Sequence, residues 1–197
     1  MFIWGVSMPY TCQFCGKTLK TEKGFQQHYC EKKSRYINFN WLGFMVFDMF
    51  NRKHFIRMPE QQELRKMKFI NSRYYKDFTS FANWMSETNI VSPVDYVNYV
   101  LGNELPINQW KDDRTVRAFL YQYLRQEPTA SAIHRSEKYL TENQVCLENI
   151  SQGRLLLGLQ TGHISLKYLR YKNFDYMTFL NGINPNELNQ LHYFLEG

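Results

Sequence analysis

The chain has 197 residues, 44% hydrophobic and 17% aromatic, a content that can fill a packed core and excludes a globally disordered chain. Its net charge of +6 at pH 7 excludes a strongly acidic protein, and the excess is localised: residues 1–57 hold nine Lys or Arg against three acids, residues 58–197 fifteen of each. A basic segment on a neutral body suits a polyanionic partner, and it suits plain solubility equally well.

The opening MFIWGVSM lacks a basic n-region and is too short for a signal peptide. Met8 is a second candidate start. The longest apolar run, Trp41 to Phe47, meets Asp48 well short of a membrane span, so no membrane partner is expected. Without a leader, the four Cys are expected to stay reduced, in a cytoplasmic setting.

Residues 12–30 read CQFCGKTLKTEKGFQQHYC. Cys12-x2-Cys15 is a turn that aims two thiolates at one centre, and His28 follows after twelve intervening residues. Leu19 follows Cys15 with three residues between, and Phe25 precedes His28 with two between. This register resembles the C2H2 zinc finger, in which two such side chains pack beside the metal. The resemblance covers 12–30 only. It implies a ββα unit holding structural Zn2+, with no open coordination position and no catalytic role.

The fourth ligand departs from that family. Cys30 lies two places after His28, and a helix turns about 100° per residue, so a continuing helix would send the two side chains to opposite faces. A helix that ends near Tyr29 would let Cys12, Cys15, His28 and Cys30 form a Cys3His site. His54 is a more distant candidate ligand, and a metal-free reduced cluster is the alternative.

By the family pattern, base-contacting positions fall on Thr21, Gly24 and Gln27. Gly24 has no side chain to read a base edge, Glu22 would repel phosphate, and one finger covers only about three base pairs. What remains is charge: Lys17, Lys20, Lys23, Lys32, Lys33 and Arg35 could flank a nucleic-acid backbone.

Beyond residue 37 the pattern becomes helical. Asn38 to Arg52 carries Phe39, Leu42, Val46, Phe47 and Phe50 on one stripe, with Gly43 weakening the helix and Phe44 off it. Pro59 suits a first helical turn, and residues 60–88 continue in helical style. Ser92-Pro93 starts a helix that Gly102-Asn103 stops; further helices are expected over 114–125, from Pro128-Thr129 through Leu140, and as three or four short ones in the last fifty residues. Cys146 is expected to be a small buried hydrophobe.

A second acid-free stretch, 149–174, holds Arg154, Lys167, Arg170 and Lys172. Two short helices around Thr161-Gly162-His163 read as a helix-turn-helix, with Ser165 capping the second and Lys167, Arg170 and Tyr171 facing outward. Lys172 extends this second set of candidate nucleic-acid contacts.

No phosphate-binding loop, dinucleotide fingerprint, nucleophile elbow or H-E-x-x-H motif occurs, so an enzyme or a small-molecule substrate is not expected. The fold expected is mainly α: a small N-terminal ββα-like zinc finger at 8–35 with a basic flank, then an all-α helical domain at 37–197. A finger ahead of an aromatic helical body resembles small zinc-finger proteins of large tailed bacteriophages, which implies an accessory factor of replication, transcription or host takeover, acting in the host cytoplasm. The function expected is a nucleic-acid-binding accessory protein with DNA or RNA as partner. The alternative is an adaptor that docks onto a larger protein machine.

Overall fold

A computed structural model describes residues 9–176, 178, 183 and 184. Met8 and much of the last expected helical stretch lie outside the described residues. The fold is mainly α, with a small two-stranded sheet ahead of ten α-helices among the described residues. No described helix is long and apolar enough to cross a membrane. The chain divides into two compact units, Met1–Trp84 and Met85–Gly197.

In the first unit, β1 (Tyr10–Thr11) and β2 (Thr18–Leu19) pair antiparallel, Tyr10 opposite Leu19. Helix α1 (Glu22–Gln26) follows, capped by Thr21, whose hydroxyl accepts from the Gly24 N–H. Then come α2 (Glu31–Ile37), α3 (Trp41–Lys53) and α4 (Gln62–Ile70). Helix α5 (Tyr75–Glu87) crosses the division.

The core of this unit is aromatic. Phe69 is fully buried, with the rings of Phe39, Phe44, Phe47 and Tyr75 at centroid distances of 4.9 to 5.9 Å. Phe44, off the sequence stripe, is buried, because α3 is covered on more than one side. Gly43 explains that: a Cβ there would sit 3.3 Å from both the Phe69 ring and the Thr79 backbone, so the glycine permits close approach. The continuous helical pattern over 60–88 resolves into α4 and α5 with a break at 71–74, and Pro59 lies ahead of α4 rather than in its first turn. Asp48, buried, bonds Arg52 and Arg65 and so ties α3 to α4.

The second unit contains α6 (Pro93–Gly102), α7 (Asp113–Gln126), α8 (Thr129–Glu142), α9 (Gln152–Gln160) and α10 (Leu166–Tyr171). Its starts and stops follow the Pro, Gly and Asn signals of the sequence. Tyr96 and Trp110 fill one part of its core: the Trp110 Nε1–H donates to the Leu105 carbonyl (2.8 Å) and the Tyr96 hydroxyl to the Trp110 carbonyl (2.7 Å). Leu140, Leu155, Leu159, Ile164 and Leu169 form an aliphatic cluster. Gly158 is required there, since a Cβ would fall 2.5 Å from Ile164 Cδ1. The buried Glu127–Arg135 pair is completed by the bond from Arg135 to the Gly162 carbonyl. Cys146 is exposed, contrary to expectation, and its thiol donates to Glu148, because it precedes a 3-10 turn at the surface.

Five helices end on one shape of cap. After α3, α5, α6, α8 and α10, residues Phe55, Asn89, Glu104, Gln144 and Asn173 take φ between 50° and 53°. In each case the following residue (Ile56, Ile90, Leu105, Val145, Phe174) returns its N–H to the carbonyl five places back. This is the Schellman arrangement with an apolar residue after the left-handed position.

Candidate metal centre

The Cys12–Cys15 turn is built by Gly16, whose φ of +72° lets its N–H return to the Cys12 carbonyl (2.8 Å), while the Cys12 N–H bonds the Lys17 carbonyl (2.9 Å). Both thiols then face the end of α1. That helix stops at Gln26, with Gln27 as its C-cap. Cys30 is extended (φ −137°, ψ 158°) and serves as N-cap of α2. The helix has ended before His28, so the opposite-face rule no longer applies: the His28 and Cys30 ligand atoms come together while Tyr29 is 68% exposed. The spacing that a continuing helix would forbid is allowed because α1 stops at Gln26 and Cys30 is extended.

The four ligand atoms of Cys12, Cys15, His28 and Cys30 all lie within 4.8 Å of one another. Cys15 Sγ and His28 Nε2 are 3.2 Å apart. Ligand atoms on a tetrahedral metal, at about 2.0–2.3 Å from it, are about 3.3–3.8 Å apart, so the cluster is near the size it needs to hold a metal ion. The surroundings act differently on the first two thiols. Burial raises the Cys12 thiol, but the backbone N–H groups of Cys15 and Phe14, together with the Cys15 and Cys30 thiols, leave it below its ordinary value. At Cys15 the Lys17 N–H acts to lower the thiol, yet burial and the neighbouring Cys12 and Cys30 sulfurs together leave it raised, the repulsion that a shared cation would relieve. The Lys33 N–H points at Cys30 Sγ (3.4 Å). Outer donors of this kind orient ligands and favour their charged form.

Leu19 is half-buried and Phe25 is 37% exposed, stacking on Tyr10 at 5.8 Å. His54 is not part of the cluster; its ring packs on Phe50 at 4.3 Å.

The basic residues separate into two kinds. Lys17, Lys20, Lys23 and Lys32 are exposed and form no ion pair with an acid among the described residues. Lys33 and Arg35 are half-buried and internally engaged. Lys33 Nζ donates to the His28 carbonyl (3.0 Å). Arg35 bonds the Ile70 carbonyl (2.8 Å) and Glu31 (2.6 Å), and stacks over Tyr75 (4.4 Å). These two fasten the finger segment and α2 in place.

The helix-turn-helix expectation needs correction. Ser165 does cap α10, accepting from the Lys167 N–H. Lys167, however, turns inward and donates to the carbonyls of Leu124 and Glu127, because the end of α7 leaves carbonyls to satisfy. Lys172 pairs with Glu137 at 3.0 Å, an interaction that holds its ammonium charged above the usual range. The stretch without acids is thus matched by acids from elsewhere in the chain. Arg170 and Tyr171 remain exposed on a six-residue helix.

The fold and site define a ββα-like finger whose Cys3His cluster is close enough to hold a metal ion, followed in the chain by helices. Comparisons with known proteins find no family model, no curated protein and no solved structure that matches this chain.

Proposed function

We propose that the protein binds nucleic acid through a zinc-stabilised finger. Three soft thiolates and one imidazole favour Zn2+ among the common divalent ions. With four protein ligands the metal keeps no open position, so its chemistry is structural: it holds two short strands and a five-residue helix that bury too little to fold alone. Cys12, Cys15, His28 and Cys30 would hold it, while Lys17, Lys20, Lys23 and Lys32 are presented to phosphates.

The observation that carries this reading is the four-ligand cluster set among exposed, unpaired lysines, within a unit of fourteen Lys or Arg and six acids. Backbone contact rather than base reading is favoured, since the Thr21 hydroxyl is spent on the cap, Gly24 has no side chain, and a Cβ at Gly24 would press on that hydroxyl at 3.0 Å. Titration of the zinc-loaded chain against oligonucleotides at several salt concentrations tests it. Four phosphate contacts imply a slope of log affinity against log salt of about −3 to −4. No binding at low salt, or binding indifferent to salt, contradicts it.

The same short, capped helix favours a second reading, an adaptor whose finger docks on a larger protein. Changing Lys17, Lys20 and Lys23 together to Glu separates the two, because it abolishes nucleic-acid retention in the first and spares a protein pull-down in the second.

A further inference from the structure

The last turn of α3 and the loop that follows it carry a feature that the finger does not explain. Arg52-Lys53-His54-Phe55-Ile56-Arg57 are all exposed, and Phe55 is 97% exposed. Its φ of 53° makes it the left-handed residue of the Schellman cap that ends α3. At the four other caps of this shape that position is Asn, Glu, Gln or Asn, residues with a flexible polar side chain. A bulky aromatic is an outlier there: its Cβ crowds the following carbonyl, and its ring gains no burial in exchange. Strain of this kind points toward use.

The neighbourhood indicates the use. Beside the loop lies a groove of about 540 Å³ whose walls include Phe50, Ile56, Met67, Lys68, Arg73 and Tyr74, with no acid in its lining. The Arg73 guanidinium lies 4.5 Å over the Tyr74 ring, a flat cationic platform at the rim. Lys68 donates to the Arg57 carbonyl (2.6 Å) and so closes the loop against α4. Among the described residues Lys53, Arg57 and Arg73 form no ion pair; Arg52 is tied to Asp48. Glu60 is the nearest acid in sequence beyond the loop.

We propose that this loop and groove bind single-stranded nucleic acid, with Phe55 stacking on one unpaired base and Lys53, Arg57 and Arg73 contacting the flanking phosphates. The inference rests on the nucleic-acid reading above and adds strandedness to it. A duplex hides the base faces that a presented ring needs, whereas a single strand offers them. A membrane surface also attracts cations beside an aromatic ring, but it calls for a broad apolar face. Here one ring and part of Ile56 are offered.

The test measures binding of the zinc-loaded full chain to fluorescent oligo-dT and to a hairpin duplex by anisotropy. Phe55→Asn is the informative variant, because Asn suits the left-handed cap, and its melting temperature is expected to match or exceed that of the wild type. It should weaken oligo-dT binding about tenfold or more and leave duplex binding unchanged, with Phe55→Trp retaining affinity. The Lys17/Lys20/Lys23 to Glu variant should weaken both forms alike. If Phe55→Asn changes neither, or both equally, while the lysine variant still weakens binding, the loop proposal falls and the finger reading stands. If the wild type binds no oligonucleotide, both fall. Binding of the wild type to vesicles of phosphatidylcholine and phosphatidylserine (7:3) that Phe55→Asn abolishes, with oligo-dT unaffected, overturns the proposal in favour of a membrane-docking loop.

Discussion

The two units of this chain differ in what holds them and in what they present. Met1–Trp84 carries fourteen Lys or Arg and six acids, a charge of +8, whereas Met85–Gly197 carries ten and twelve, a charge of −2. The first packs rings against rings around Phe69, and its smallest part carries the four-residue cluster that could hold a metal ion. The second packs an aliphatic cluster around Leu155 and Leu169 beside buried Tyr96 and Trp110; each unit pairs its buried acid internally, Asp48 with Arg52 and Arg65 in the first and Glu127 with Arg135 in the second. The second unit's lysines illustrate the contrast: Lys167 and Lys172 are committed to carbonyls and to Glu137, while Lys17, Lys20, Lys23 and Lys32 of the first unit stay in solvent. A basic residue is informative about partners only after its local acceptors are counted.

The largest test of that difference is removal of the metal. Structural zinc contributes on the order of ten kcal/mol to a finger of this size. A chelator, or Cys12→Ser at the 3% exposed ligand, should unfold the finger segment, seen as lost amide-exchange protection over residues 10–30, while α6 to α10 keep theirs. Loss of protection across both units would break the comparison.

Next come the core variants of the second unit. Glu127→Ala leaves the Arg135 guanidinium buried without its carboxylate and should cost about 3–5 kcal/mol in denaturant unfolding. Leu169→Ala, at a fully buried position, should cost about 2–5 kcal/mol. Neither should alter metal stoichiometry or nucleic-acid affinity. Gly158→Ala is a smaller perturbation, about 1–3 kcal/mol, since Ile164 must move to admit one methyl.

The smallest effect is a pH dependence. Burial lowers the pKa of His163 from its ordinary 6.5, only partly offset by the bond from its Nε2–H to the Asn89 carbonyl (2.6 Å). Below 6.5 the unfolded chain therefore takes up a proton that the folded one refuses. Stability of the second unit should fall as pH drops through that value, level off below the folded-state pKa, and be fully present above 6.5. His163→Gln should flatten this part of the profile at fixed zinc, as thermal melting at pH 5 to 8 would show.

Much of the site was legible because ligand spacing is a local property. Cys12-x2-Cys15 and the gap to His28 identify the cluster, and Cys30 follows once the helix is required to end before it. The Pro93, Gly102-Asn103 and Pro128 signals likewise mark helix ends, because backbone chemistry acts within a few residues. Packing is less legible. Gly43 reads as a helix weakener until Phe69 and Thr79, distant in sequence, are seen to need its space. Lys167 and Lys172 read as a phosphate grip because their acceptors come from α7 and α8. Phe55 gave no signal, since its left-handed backbone and full exposure are consequences of the cap rather than of its residue type.

X-ray absorption at the zinc edge of the purified, metal-loaded protein bears most directly on the site. One zinc per chain, with three sulfur ligands at about 2.3 Å and one nitrogen at about 2.0 Å, is the expected result. A chain that retains no metal, or one whose metal shows only oxygen and nitrogen neighbours, would contradict the Cys3His centre.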